Sequence, residues 1–385
     1  MKHLAGMAVG LLFALLTGCP ENNVDPTNNP SNAVLPQTLK AAADFPIGMA
    51  VTVQRDSGQH SFLQDRDYRQ RVSENSDVVV PINAMKIYRL WAAGPYAPLD
   101  FSTMDQFARV AGENGLGIHG HTYVWYKDTG KKNFWLRQYN SDWTWLLETY
   151  IRKVATHFKG RLVSVDVVNE AFYQPDEKAS GSFVARPLEM NGWTNVDDYI
   201  ARAFLVAASA DALPDLYYNE TGLAGHTELR KQVEALIDDL QSRQVKIDGV
   251  GLQMHVSDWP DIAEIRKALK DLSAKGIKIR ISELDVRMNK KGGYTALDNT
   301  LAEAQAARYR EIVRAYLDCV PQGLRGGITF WGVSDRDYHD PGCDREGEKC
   351  HQDWPRLFDN ALQPKPAYFA VLEELTKGGD GVSCP

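Results

Sequence analysis

Short β-branched runs alternate with amphipathic stretches along this chain from Phe45 onward. The runs are Ile47 to Val53, Val78 to Pro81, Leu116 to Gly120, Val163 to Val168, Leu216 to Tyr218, Gly249 to Met254, Ile277 to Ile281 and Gly326 to Phe330. Most are apolar at nearly every position, as strands buried on both faces of a parallel sheet must be. Between them apolar residues return at helical spacing, as in Met104, Phe107, Ala108 and Ala111, then Trp145, Leu146, Tyr150, Ile151 and Val154, then Ala263, Ile265, Ala268 and Leu269. Eight strand and helix units predict a single (β/α)8 TIM barrel of α/β class; a doubly wound open sheet is the alternative.

In a barrel the residues that follow each strand line one mouth. Here they are Asn83 and Lys86, His121 and Trp125, Asn169 and Glu170, Asn219 and Glu220, Gln253 and His255, Glu283 and Asp285, and Trp331 with Asp335. The set is polar, aromatic and acidic where the strands are apolar. Glu170 and Glu283 each end a β-branched run, and two carboxyls aimed into one site are the minimum for cleaving a glycosidic bond. A separation of about 5 to 5.5 Å suits retention of anomeric configuration, and about 6.5 to 9.5 Å suits inversion.

The first residues change the picture of where the fold begins. Lys2 precedes an apolar run from Leu4 to Leu16, too short to span a bilayer, which predicts an export signal over 1–18. Leu15-Leu16-Thr17-Gly18-Cys19 resembles a bacterial lipobox, so Cys19 is the expected lipidation site, with ordinary signal cleavage as the alternative. Residues 19–44, rich in Asn, Pro, Thr and Ala, read as a tether, and 45–385 as the catalytic domain. The expectation is an exported protein, an outer-membrane lipoprotein with its side undetermined, touching membrane only through that anchor.

A net charge of −7 without basic blocks argues against nucleic-acid binding. Nine Trp and sixteen Tyr supply candidate sugar platforms as well as core. Beyond Cys19, the cysteines Cys319, Cys343, Cys350 and Cys384 form an even set, so two disulfides are expected, with three connectivities open. One of these closes the loop between Cys343 and Cys350 and pins the C-terminal tail through Cys319 and Cys384. The histidines His121, His255 and His339 show no recognised metal-ligand spacing, so neither a metal nor another cofactor is expected.

Asp166-Val167-Val168-Asn169-Glu170-Ala171 and Gly276 through Val286 resemble the two catalytic segments of family 10 glycoside hydrolases, the endo-β-1,4-xylanase family. Gly120-His121-Thr122-Tyr123-Val124-Trp125, Leu216 to Asn219, Gly251 to His255 and Gly327 to Asp335 follow in family order, so the resemblance runs from about Phe45 to Leu375. It implies a retaining double displacement with Glu170 as acid/base and Glu283 as nucleophile, acting on internal bonds of a β-linked plant polysaccharide, xylan or xylooligosaccharides, with no obligate protein partner. It also implies that Asn83, Lys86, His121, Trp125, Asn169, Gln253, His255 and Trp331 bind substrate, and that His255 and Asp285 orient the nucleophile. For Glu170 to donate a proton, an apolar or like-charged setting is expected to raise its pKa.

The pattern breaks in places. Ile82 stands where the family carries Glu, Ile87 follows Lys86 where an aromatic is usual, and Asp128 replaces a Gln; Glu and Gln both hold the second glycone sugar. A sugar hydroxyl facing Ile82 loses a partner, at about 1–3 kcal/mol. Asn219-Glu220 replaces Asn-Asp, and the tryptophan usual near His339 is missing. These changes leave a related retaining β-glycosidase on decorated or non-standard substrates as the alternative, and a non-catalytic carbohydrate-binding barrel as a further one.

Overall fold

The computed structural model describes residues 37–54, 58–130, 134–174, 183–290, 292–337 and 352–384. All fall within one compact unit, Pro36–Pro385. The predicted signal, Cys19, Cys343, Cys350 and His339 lie outside the described residues.

Eight parallel strands close into a barrel: β1 (Ile47–Val51), β2 (Val78–Pro81), β3 (Gly117–Trp125), β4 (Ser164–Asn169), β5 (Asp215–Thr221), β6 (Gly249–Gln253), β7 (Lys278–Val286) and β8 (Arg325–Phe330). Each pairs with its neighbours in chain order, and β8 returns to β1 with Ile47 opposite Ile328 and Gly48 opposite Thr329. A Cβ at position 48 would collide with the Thr329 hydroxyl, so glycine is what allows the closing strands to meet. The open-sheet alternative is thereby excluded.

The helices form where the apolar spacing predicts them. Ser102–Glu113 buries Met104, Phe107 and Ala111, Trp143–His157 buries Leu146, Tyr150, Ile151 and Val154, and Ile262–Ser273 buries Ile265, Ala268 and Leu269. Asp142 and Asp261 cap the last two by accepting from Trp145 N and Glu264 N.

The structure departs from the sequence reading at three points. First, β3 and β7 run past their predicted ends to Trp125 and Val286, with register shifts between His121 and Val124 and between Ile281 and Leu284. His121, Glu283 and Asp285 therefore stand inside irregular strand ends rather than just past them. Second, residues 37–44 pack on the barrel: Leu39–Ala42 is helical, Leu39 is fully buried, and Tyr368 reaches Asn75 beneath it. The packed body thus starts before Phe45. Third, the barrel interior is not purely apolar. Arg280 on β7 donates to His119 on β3 and to Thr329 Oγ1 on β8, a contact that crosses the barrel.

Cys319 and Cys384 are bonded, which ties the tail to the end of helix Asn299–Cys319. This is one of the two pairings read from the sequence.

Candidate active site

Glu170 follows the last residue of β4 with φ at 56°, a left-handed conformation uncommon for any residue with a Cβ. The carboxyl is nearly buried. Trp125 Nε1 donates to Oε2 at 3.0 Å, and Gln253 Nε2 donates to Oε1 at 3.0 Å. Burial alone would raise its pKa, but the charge of Lys127, the Trp125 and Gln253 hydrogen bonds and the charge of Arg186 together hold it below the ordinary value. That corrects the expectation of a raised pKa: donors and cations surround the carboxyl, where an apolar or acidic wall was anticipated.

Glu283 stands on β7 and is also buried. His255 Nε2 lies 2.9 Å from its Oε2, while His255 Nδ1 lies 2.9 Å from Asp285 Oδ2. One imidazole therefore spans two carboxylates spaced two residues apart on one strand. Burial opposes the charged ring, yet the charge and hydrogen bond of Asp285 and then those of Glu283 raise its pKa to about 10. The ring is an imidazolium at neutral pH and donates to both carboxylates. Asp285 is held below its ordinary value, against burial, by His255 and by Arg356, whose Nη1 donates to Oδ2 at 2.8 Å.

A continuous set of hydrogen bonds joins the two glutamates. Gln253 Nε2 reaches Asn169 Oδ1 at 3.1 Å as well as Glu170. Asn219 Nδ2 donates to Asn169 Oδ1 and to Glu283 Oε1, each at 2.9 Å. Ser282 Oγ donates to Asn219 Oδ1 at 2.6 Å and so fixes which way that amide faces. With two donors on its oxygen, Asn169 keeps its own amide hydrogens for another acceptor. Gly251 makes the bridge possible, because a Cβ there would collide with Asn219 Oδ1.

Around this pair, Lys86 Nζ donates to Asn83 Oδ1 at 3.1 Å and lies 4.3 Å from the centre of the Trp125 ring. Burial lowers its pKa, opposed by the charges of Asp128, Glu283 and Glu170. His121 Nδ1 is 2.8 Å from Asp166 Oδ2, with His119 Nε2 3.0 Å from the same oxygen. Trp331 meets His121 and His255 edge to face, with centroids 5.4 and 6.0 Å apart. All the sequence-predicted residues from Asn83 to Trp331 thus gather at the C-terminal mouth of the barrel.

Two participants were not among them: Asp166 and Arg356 hold His121 and Asp285 in place. Asn219, read as part of the mouth without a role, holds Glu283. Asp166 carried a signal, being a lone acid inside a β-branched run, and Asn219 stood at a strand end. Arg356 carried none, since it comes from a distant segment. Asp335, read as part of the mouth, is instead buried in an ion pair with Lys365 at 2.9 Å. Asp128 is fully buried and contributes to the charge around Lys86 instead of offering an exposed acceptor.

A family model described as Glycosyl hydrolase family 10 matches residues 37–374. Endo-1,4-beta-xylanase A of Cellvibrio japonicus is 36% identical over 360 residues, 88% of this chain and 56% of that protein. The chain thus spans little more than half the length of this curated relative. Among solved structures, native xylanase 10C from Cellvibrio japonicus superposes with a TM-score of 0.80 at 30% identity, covering 95% of this chain and 76% of that one. A mutant of the same enzyme in complex with xylopentaose gives 0.79 at 32% identity, covering 89% and 70%.

Proposed function

The chain belongs to glycosyl hydrolase family 10, and on that premise we propose that it is a retaining endo-β-1,4-xylanase. The observation that carries the reading is the hydrogen-bonded path from Glu170 through Gln253, Asn169 and Asn219 to Glu283. It places two buried carboxyls in one cleft with unlike partners, an amide and an indole for Glu170, an amide and an imidazolium for Glu283. Similarity to enzymes named as endo-1,4-beta-xylanases, and to one solved with xylopentaose, supports xylan as the substrate.

In this mechanism Glu283 attacks the anomeric carbon while Glu170 gives its proton to the departing glycosidic oxygen. His255, charged and anchored by Asp285, holds and aims Glu283 through its hydrogen bond. Forming the glycosyl ester removes the negative charge of Glu283, and Glu170, now a carboxylate, takes a proton from water as that water attacks the ester. The lowered pKa of Glu170 belongs to the open cleft. A sugar chain filling the cleft excludes water and strengthens the burial that favours the protonated form. Asn169 offers its free amide hydrogens to a hydroxyl of the reacting sugar, and Lys86, Asn83, His121 and Trp331 line the same space.

The alternative of shifted substrate choice rests on Ile82 and Asp128. Ile82 lines a cavity of about 600 Å³ beside Asn83 and Trp331, and Asp128, where the family carries Gln, is buried. Both features weaken recognition of a plain second sugar, which favours decorated chains. Product analysis on xylan, arabinoxylan, glucuronoxylan and glucan tests both readings: xylooligosaccharides of retained configuration support the first, and cleavage of glucan alone rejects it.

We further infer export and lipid attachment at Cys19. The support is the short apolar run and the Leu-Thr-Gly-Cys sequence.

A further inference from the structure

The left-handed turn at Glu170 must be held by its surroundings, because the isolated backbone disfavours it. Three successive amides of that turn bond to three successive residues of β5. Glu170 N donates to Asn219 O at 2.9 Å, Ala171 N to Tyr218 Oη at 3.1 Å, and Phe172 N to Glu220 Oε2 at 3.3 Å. The first needs only a backbone carbonyl. The other two depend on side chains, and those side chains are tied to each other, with Tyr218 Oη donating to Glu220 Oε2 at 2.5 Å. Thr221 N holds the other Glu220 oxygen at 3.1 Å. Glu220 is 1% exposed and Tyr218 is fully buried.

Glu220 has no part in the bond-breaking steps above, and a buried carboxyl with three donors aimed at it is not filler. We propose that Glu220, with Tyr218 beside it, is a positioning residue that clamps the turn carrying Glu170 and so keeps the general acid in register with Trp125 and Gln253. The proposal rests on the reading of Glu170 as acid/base.

The electrostatics are compatible with that task. The groups facing Glu220 are Tyr218 on its own strand, Glu170 after β4, Arg186, Tyr199 at the start of helix Tyr199–Ala210, and Tyr126 after β3. Burial, with the negative charge of Glu170 adding to it, pushes the Glu220 pKa up to about 8 against the Tyr218 hydroxyl and the two amides.

The test exploits leaving groups. Xylan needs a proton on its departing oxygen, whereas a 2,4-dinitrophenyl β-xylobioside does not. In Glu220→Ala, kcat/KM for xylan is expected to fall about 100-fold, the scale of a misplaced catalytic group, while kcat/KM for the dinitrophenyl substrate, which reports only the first step, stays nearly unchanged. Tyr218→Phe should show the same split to a smaller degree. Glu220→Gln, whose oxygen can still accept from Phe172 N and Tyr218, should restore most of the xylan rate. Equal losses on both substrates, or no loss in Glu220→Ala, overturn the clamp. If Glu220→Ala does not fold, the Tyr218→Phe split decides in the same way. Glu170→Ala measured alongside separates the two levels: if it lacks the split, the acid role itself fails, and if it alone shows the split, only the clamp fails.

Discussion

Asn219 donates to Glu283 at 2.9 Å while its oxygen is held by Ser282, so one amide on β5 sets the orientation of a carboxylate on β7. The two strands are not neighbours, since β6 lies between them. The amide crosses β6 at Gly251, the one kind of residue that leaves it room.

Asn219→Ala removes a hydrogen bond to a charged group, worth about 1.5–3 kcal/mol. The expected outcome is a fall in kcat of about 10- to 100-fold on xylan with folding intact. Gly251→Ala, which drives a methyl into the same amide, should produce a similar loss. Normal kcat in both variants would show that the bridge does not orient Glu283.

Lys127 exerts the largest of the effects that depress the Glu170 pKa. An acid with a depressed pKa loses its proton at lower pH, so the alkaline limb of kcat/KM, which reports the free enzyme, lies correspondingly low. Replacing Lys127 with Gln removes the charge and should move that limb upward. A pH profile of the variant that is unmoved, or moved downward, would contradict the role given to this lysine.

The His255 ring links activity to stability. Its pKa rises from about 6.5 in the unfolded chain to about 10 in the fold. A raised pKa adds stability that is fully present below about pH 6.5 and is lost as pH rises through about 10. The side chain is 28% exposed, so a contribution of about 1–3 kcal/mol is expected. Denaturant unfolding of wild type and His255→Asn from pH 5 to 10.5 should give a stability difference that shrinks toward the alkaline end. A difference that stays constant or grows would be the wrong sign.

Much of this arrangement was legible in the sequence because barrel geometry converts strand ends into one surface. The eight apolar runs located the strands, and the polar residue after each located the mouth. Asn169, Gln253 and His255 could be read that way. What escaped depends on contacts between distant segments. Arg356 reaches Asp285 across 71 residues, and nothing local to it marks the site. The ionisation of Glu170 was misread for a related reason. Strand-end placement says that a carboxyl is buried, but not that an indole, an amide and two cations converge on it. Arg280 escaped because alternation in a strand normally sends a charged residue outward, and here it points into the barrel, where His119 and Thr329 receive it.

Cys19→Ala is expected to leave xylan hydrolysis intact and to release the exported protein from the envelope into the soluble fraction. An anchored variant that still requires detergent for extraction would contradict lipid attachment at that cysteine.

The separate roles of Glu170 and Glu283 are tested most directly by trapping. A 2,4-dinitrophenyl 2-deoxy-2-fluoro-β-xylobioside forms the glycosyl-enzyme readily and releases it slowly. Mass spectrometry of digested protein should find one fluoroxylobiosyl group per chain, on the peptide containing Glu283, in wild type and in Glu170→Ala. A label on Glu170, or none while the compound is still hydrolysed, would contradict the assignment of Glu283 as the nucleophile of a retaining enzyme.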